Sequence, residues 1–298
     1  MAVSTGNFAE LLWPGIEVIF GNTYNDYEAL YPKVFEKKKS TLAFEKNQGV
    51  TGLPLAGIKN QGNSIPSIDP QQGFQKEYVN ITYAIGSSIT RELYEDDQYS
   101  YIKTIPTLLA RSLYQTEETT AFNVLNNGFN SSITGADGIE LFSTAHLNVD
   151  GSTFSNRLAT DSDLTQTSLE TALQDLLDFV DDQSLKIRVQ PKCLVVPTAS
   201  NFRARKLLES SYVVGKADND INPVQGLFQD LVVSPYLTDN DAWFIITDVP
   251  NGLTFYTRRE VDLDKDNEFA TQNLLFSATK RWSVSWTDPR GAFGTPGV

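Results

Sequence analysis

Hydrophobic positions along this chain follow two different periods. Over "TIPTLLARSLYQTEETTAFNVLNNG", Ile105, Leu109, Leu113, Ala121 and Leu125 recur in steps of four, with Leu108 and Val124 beside them. That spacing lays one apolar stripe along a helix. Thr104 and Pro106 suit a cap and first turn, and Asn126-Asn127-Gly128 suits an end. About 22 residues at ~1.5 Å each make a rod of roughly 33 Å. A second helix is predicted where Leu169, Ala172, Leu173, Leu176, Leu177 and Val180 keep the same spacing, opened by Thr167 and Glu170 as a capping box.

Residues 40–90 carry the other period. "STLAFEKN" and "FQKEYVNITYAIGSSIT" have strand composition. In the second, Tyr78, Asn80, Thr82 and Ala84 share one face, and Val79, Ile81, Tyr83 and Ile85 the other. Between them, "QGVTGLPLAGIKNQGNSIPSIDPQQG" holds five glycines and three prolines, and no helix or strand signal survives there. So long a connection in a compact domain is functional or mobile. A projecting two-stranded arm cannot bury its own faces. The stretch therefore predicts an arm that leans on a neighbouring surface, and hence an oligomer.

The remainder reads as follows. Trp13-Pro14-Gly15 is a break, and Lys37, Lys38 and Lys39 form a basic turn that is either solvated or contacts an acidic partner. From residue 185 the pattern is α/β. "CLVVP", "LVVSPYL", "AWFIITD" and "LTFYTRR" are strands, "TASNFRARKLLESS" is a helix, and "LLFSATKRWSVSWTD" is a long strand or strand pair. "DLDKDNEF" starts like a calcium loop at Asp262, Asp264 and Asp266. Asn267 and Asn273 then stand where such a loop needs glycine and glutamate, so it reads as an acidic turn.

Composition narrows the function. The chain has 298 residues, 40% hydrophobic and 20% charged, which suits one large or two ordinary globular domains. Its net charge of −13 argues against sequence-specific nucleic-acid binding. Cys193 is the only cysteine, which excludes an intrachain disulfide and a thiolate metal cluster. No signal-peptide pattern or long apolar run is present, so a soluble protein, intracellular when made and without membrane contact, is expected.

The vocabulary of catalysis is thin. No nucleophile elbow, phosphate-binding loop or zinc-protease motif occurs. "LFSTAHLNVDG" places His146, the only histidine, beside Ser143, Thr144 and Asp150. Triads are built from residues distant in sequence and locked by packing. His146 is therefore read as a structural loop histidine, with a hydrolase using it as an alternative. Glu117/Glu118 and Asp181/Asp182 are adjacent pairs that point apart, so neither makes an acid/base dyad. No catalytic residue, cofactor site or metal site is assigned.

The order of elements resembles the major capsid protein of tailed bacteriophages, an α+β fold of Hong Kong type. Matching stretches are "ARSLYQTEETTAFNVLNNG", "LFSTAH", "LVVPTASNFRARKLLES", "LVVSPYLTDNDAWFIITD" and "FSATKRWSVSWTDPRGAFG", and their details look like the Mu-like branch. The resemblance implies an N-terminal arm at 1–39 and an extended hairpin loop at 40–90. It implies a peripheral domain at 91–189 with 271–298, containing a spine helix at 104–127, and an axial α/β domain at 190–270. It also implies a structural subunit that forms hexamers and pentamers of an icosahedral shell around double-stranded DNA, in a virion assembled in the host cytoplasm. Implied partners are a separate scaffold protein, a portal, and decoration or cement proteins. Candidate inter-subunit contacts are Lys59, Asn63 and Ile65 on the arm, and Asp218, Asn219 and Asn222 in "GKADNDINPVQG". Lys59 and Asn63 sit on one arm, so a relative's lysine–asparagine cross-link does not carry over. Rival readings are an encapsulin-type nanocompartment shell and a tail-tube subunit.

Overall fold

The computed structural model describes residues 8–65, 67–96, 104–213, 220–268 and 270–298. In chain order these form α1 (Phe8–Asp26), α2 (Tyr31–Val34), β1 (Glu36–Lys39), β2 (Phe44–Val50), β3 (Gln72–Val79), β4 (Ile81–Ile89), α3 (Arg91–Glu95) and α4 (Thr104–Asn126). A loop with the short pair β5 (His146–Leu147) and β6 (Thr153–Phe154) leads to α5 (Gln166–Leu177). Then come β7 (Pro191–Pro197), α6 (Asn201–Glu209), β8 (Asp230–Ser234), β9 (Trp243–Thr247), β10 (Leu253–Asn267), β11 (Leu274–Trp286) and β12 (Ala292–Thr295).

Two four-stranded sheets organise the molecule. The first runs β1-β10-β11-β4, the second β12-β9-β7-β8, and β2–β3 is a separate hairpin. In the first sheet β1 is parallel to β10 and the other pairs are antiparallel. In the second, β7 and β8 are parallel, with α6 in the crossover between them.

The predicted spine stripe is the floor of the first core. Ile105, Leu109, Leu113, Ala121 and Leu125 are buried with Ile89 of β4 and Phe276, Ala278 and Trp282 of β11. Each such large side chain contributes about 1.5–3 kcal/mol on burial. A second core joins Leu169, Ala172 and Leu176 of α5 to Leu194, Val196, Trp243, Ile245 and Phe293 of the second sheet. Leu108 and Leu177, expected near the stripes, are exposed at the stripe edges.

Several local expectations change. α1 runs through Trp13-Pro14-Gly15 rather than breaking there. An interior proline removes a backbone hydrogen bond, but α1 lies along α4 with Ile16 and Phe20 buried, and Phe20 stacks on Tyr24 at 6.1 Å. That packing carries the helix past the proline. The α5 capping box is Thr165 with Ser168, two residues before the expected Thr167 and Glu170: each side chain accepts the other's backbone N–H. Asp262, Asp264 and Asp266 lie within β10, paired with Thr279, Ser277 and Leu275 of β11, and not in a turn. Their side chains take the exposed positions of an alternating strand, which solvates three carboxylates without a loop.

The long strand at 72–89 is two strands. Tyr78 and Asn80 are buried, yet Thr82, Ala84, Gly86 and Ser88 on the same parity are exposed. The chain leaves the hairpin at Asn80 and enters the first sheet, so the covered face switches. Pairing also cuts across the sequence grouping. β1, β4 and β10 share one sheet although they fall in the 1–39, 40–90 and 190–270 segments, and β12 joins the second sheet.

Candidate assembly surface

The β2–β3 hairpin pairs from Phe44↔Val79 to Val50↔Gln72, with an irregularity between Gln48 and Val50. There the backbones of Gly49 and Gly73 approach so closely that a Cβ on Gly73 would meet the Gly49 carbonyl at 2.9 Å. Beyond Thr51 and Gln71, which bond to each other, the tip has no regular structure among the described residues. Leu53, Leu55, Ile58, Ile65 and Ile68 are all exposed there, Ile58 at 96%. So much uncovered apolar surface marks a contact site. Lys59, Asn63 and Ile65 lie on this tip and are exposed.

The root of the arm is fixed. Tyr78 is fully buried, its hydroxyl 2.7 Å from Thr287 Oγ1 and its ring edge-on to Tyr256 at 5.0 Å. Tyr256 Oη donates to Asn47 Oδ1 at 2.8 Å. Lys76 donates to the Thr134 carbonyl at 2.5 Å and lies 5.4 Å over the Trp286 ring. Burial there pulls the Lys76 amine below its ordinary range. Asn80 Nδ2 donates to Ser40 Oγ at 2.8 Å and to the Leu42 carbonyl at 3.0 Å. A rigid root therefore presents an apolar tip.

His146 is completely buried and stacks on Phe154 at 5.2 Å. Its Nδ1 is 2.6 Å from Asp137 Oδ2, and its Nε2 faces the Leu141 carbonyl at 3.2 Å and Asn156 Oδ1 at 3.1 Å. Asp150, the carboxylate nearest in sequence on the C-terminal side, instead accepts from Ser152. The Nε2 edge that a serine would need is taken by two oxygen acceptors, so no Ser-His-Asp arrangement is assembled here.

Asn156 is the hub of this cluster. Its Nδ2 points at the carbonyls of Leu141 (2.7 Å), Pro289 (2.9 Å) and Ala292 (3.1 Å), and its Oδ1 accepts from Ser143 N at 2.9 Å. It ties the polar loop to the segment between β11 and β12. Sequence reading missed it, because an asparagine in a Gly/Asn/Ser loop looks like any solvated turn residue.

A second polar cluster lies under the spine helix. Glu117 and Glu118 are buried. Lys280 of β11 donates to Glu117 Oε2 at 2.7 Å and to the Tyr24 hydroxyl at 2.9 Å, and Tyr24 in turn donates to Glu117. Burial, then the Glu117 charge, push the Tyr24 hydroxyl far above its usual range. Glu118 Oε1 caps the α2 entry by accepting from Leu30 N at 2.7 Å. Burial raises the Glu118 carboxyl above the usual glutamate value. This network joins α1, α4 and the first sheet.

In the 215–226 loop, Asp218 and Asn219 lie outside the described residues. Asn222 is turned inward. Its Nδ2 donates to the carbonyls of Leu207 (2.6 Å) and Ser210 (2.8 Å), and its Oδ1 accepts from Val224 N at 3.1 Å. With its polar atoms used internally it shapes the loop, and Tyr212 and Ile221 are the exposed side chains beside it. Burial pushes the Cys193 thiol up to about 12. Among the described residues, no cluster of His, Cys, Asp and Glu is placed to hold a metal ion.

The sequence profile of the family described as phage capsid protein matches residues 75–294. The chain belongs to the phage capsid protein family. Solved structures share its fold. A bacteriophage JBD30 procapsid chain is 13% identical, covers 98% of this chain and 76% of its own, and has a TM-score of 0.56. A chain from the capsid of an empty GTA particle is 12% identical over 89% of this chain and 88% of its own, with a TM-score of 0.59. A chain of the virus-like particle from Pyrococcus furiosus is 12% identical over 94% and 97%, with a TM-score of 0.54. No curated protein matches the chain by sequence. This capsid protein thus has the mixed helix-and-sheet fold of Hong Kong type and serves as a structural subunit of a phage capsid. The family match favours that role over a nanocompartment shell.

Proposed function

We propose that this capsid protein forms hexamers and pentamers of a shell that encloses double-stranded DNA, and that it does so without catalysis. The observation that carries the reading is the β2–β3 arm, rigid at its root and apolar at its tip. An arm laid on a neighbouring subunit buries that tip and gains avidity when several neighbours are engaged at once. The first sheet with α4 acts as the peripheral unit, and the second sheet with α5 and α6 as the axial unit. A net charge of −13 lets the shell confine DNA without gripping it. A scaffold, a portal and decoration proteins complete the particle, assembled in the host cytoplasm, and the order of elements fits the Mu-like branch.

Electron microscopy of the purified chain tests this. Closed or hexagonal shells, lost on deletion of residues 53–69 while the subunit stays folded, are expected. Stacked rings would mean a tail tube, and a copurifying cargo enzyme in place of DNA a nanocompartment. A small monomer whose hydrolytic activity disappears in His146→Ala would overturn the reading.

A further inference from the structure

The face of the first sheet that points away from α4 carries its charges in order. Cross-strand register sets Thr82, Arg281 and Arg259 in one row. Asp262, Asp264 and Asp266 follow along β10 on the same face, because their partners Thr279, Ser277 and Leu275 alternate with the buried, α4-facing Phe276, Ala278 and Lys280. The register slips twice between Thr257 and Asp262. Such bulges re-aim side chains, and Arg258 joins Arg259, Arg281 and Thr82 around one depression.

Two of these arginines have neutral hydrogen-bond partners. Arg259 donates to Thr279 Oγ1 at 2.7 Å, and Arg281 Nε to the Asn80 carbonyl at 3.3 Å. Among the described residues none of the three forms an ion pair. Glu260, next in sequence, turns to the other face and lies 3.7 Å from Lys280. Glu45, whose carboxyl feels Arg258, is held chiefly by Ser40. Like charges directly opposite on an antiparallel pair destabilise it, so Arg259 beside Arg281 calls for an anion from outside the chain. Between the charges the face is small and flat, with Ala84 and Gly86 exposed.

We propose that this face docks on the same face of a second copy about a two-fold axis. Arg258, Arg259 and Arg281 of each copy then meet the Asp262–Asp266 row of the other. Residues along a strand advance ~3.3 Å each, so the arginine row and Asp264 are roughly 15 Å apart. A two-fold axis midway superposes opposite charges in both directions, as an isologous contact requires. The aspartate row is what selects this occupant: nucleic acid, uniformly negative, would be repelled by half of the face. The proposal rests on the shell-subunit role.

Two full-length variants test it. Arg258→Asp with Arg259→Asp makes the face acidic, and Asp262→Arg with Asp264→Arg makes it basic. Both leave Arg281 and its bond to Asn80 intact. Wild type and variants are assembled in parallel and read by sedimentation and electron microscopy, with folding checked by circular dichroism. Each variant alone should lose shells by about tenfold or more, since like charges then face each other. An equimolar mixture should recover them, because acidic and basic faces are now complementary. The milder Arg259→Gln with Asp264→Asn covers the case of a reversal that misfolds, and should lower the yield about threefold. Folded reversal variants that assemble like wild type overturn the proposal, as does a mixture that fails to recover. Normal shells with reduced nucleic acid in the arginine variant would overturn it in favour of a phosphate contact. Absence of shells from the wild type would instead remove the shell-subunit role on which it stands.

Discussion

Replacing Glu117 with glutamine isolates the energetic role of the ion pair under the spine helix. The change keeps the side chain's shape and removes its charge. Lys280 loses the charge of its partner at 2.7 Å but keeps the Tyr24 hydroxyl at 2.9 Å and the outlying Glu260 carboxylate at 3.7 Å. Removing one member of a buried pair costs about 3–5 kcal/mol, and the two surviving contacts put this case near the lower end. For a chain of this size ~1 kcal/mol corresponds to roughly 2 °C in melting temperature, so a drop of about 6 °C is expected. The measurement is thermal unfolding of the dissociated subunit, because shell contacts would add their own stabilisation. Lys280→Met should cost a similar amount, since it leaves the Glu117 carboxylate buried with only the Tyr24 and Tyr31 hydroxyls. The double variant should show a coupling energy of about 2 kcal/mol. Single variants that melt within about 2 °C of wild type, or a double variant whose effect is the plain sum, would refute the assignment.

Three further outcomes follow from the same geometry. Asn156→Ala strips partners from several buried backbone groups and should destabilise by about 3 kcal/mol in urea unfolding; a loss under about 1 kcal/mol would show that the hub is dispensable. Burial raises the Glu118 carboxyl from its ordinary 4.5, so the folded state binds more protons than the unfolded chain. Its contribution is present below the ordinary value and lost as pH rises through the raised one. Glu118→Gln should therefore flatten part of the fall in melting temperature between acidic and neutral pH, and an unchanged slope would contradict this. Gly128→Ala would place a Cβ 2.5 Å from Phe142 Cδ2 and Cε2; overpacking of this kind should cost about 1–3 kcal/mol, read by thermal melting.

The parts of the fold that announce themselves in the sequence rest on local periodicity. The spine stripe from Ile105 to Leu125 is buried where the spacing puts it, and so are Leu169, Ala172 and Leu176 of α5. The arm is legible because glycines and prolines between two alternating runs permit little else. What escaped depends on partners far along the chain. Glu117 and Glu118 read only as an adjacent pair that points apart, since their burial follows from Lys280, 163 residues from Glu117, and from Tyr24 and the α2 entry. The switch at Asn80 is invisible to a period-two pattern, because the alternation continues while the covered face changes. Asp262, Asp264 and Asp266 look like a turn until β11 supplies cross-strand partners. His146 stands out in the sequence, but its partners Asp137 and Asn156 do not, since neither carries a motif.

The segment from β11 to β12 has a consequence for timing. On a ribosome, β4 and β10 have no shared neighbour until residues 274–286 emerge, because β11 lies between them. The apolar stripe of α4 has no Trp282 or Phe276 to rest on before then. Thr287, which anchors Tyr78 at the arm's root, and the carbonyls of Pro289 and Ala292, which hold Asn156, emerge well after the residues they hold. A partly made chain therefore has an unaimed arm and two unfinished sheets. Neighbouring chains on one polysome cannot engage each other in the mature way until this stretch is out.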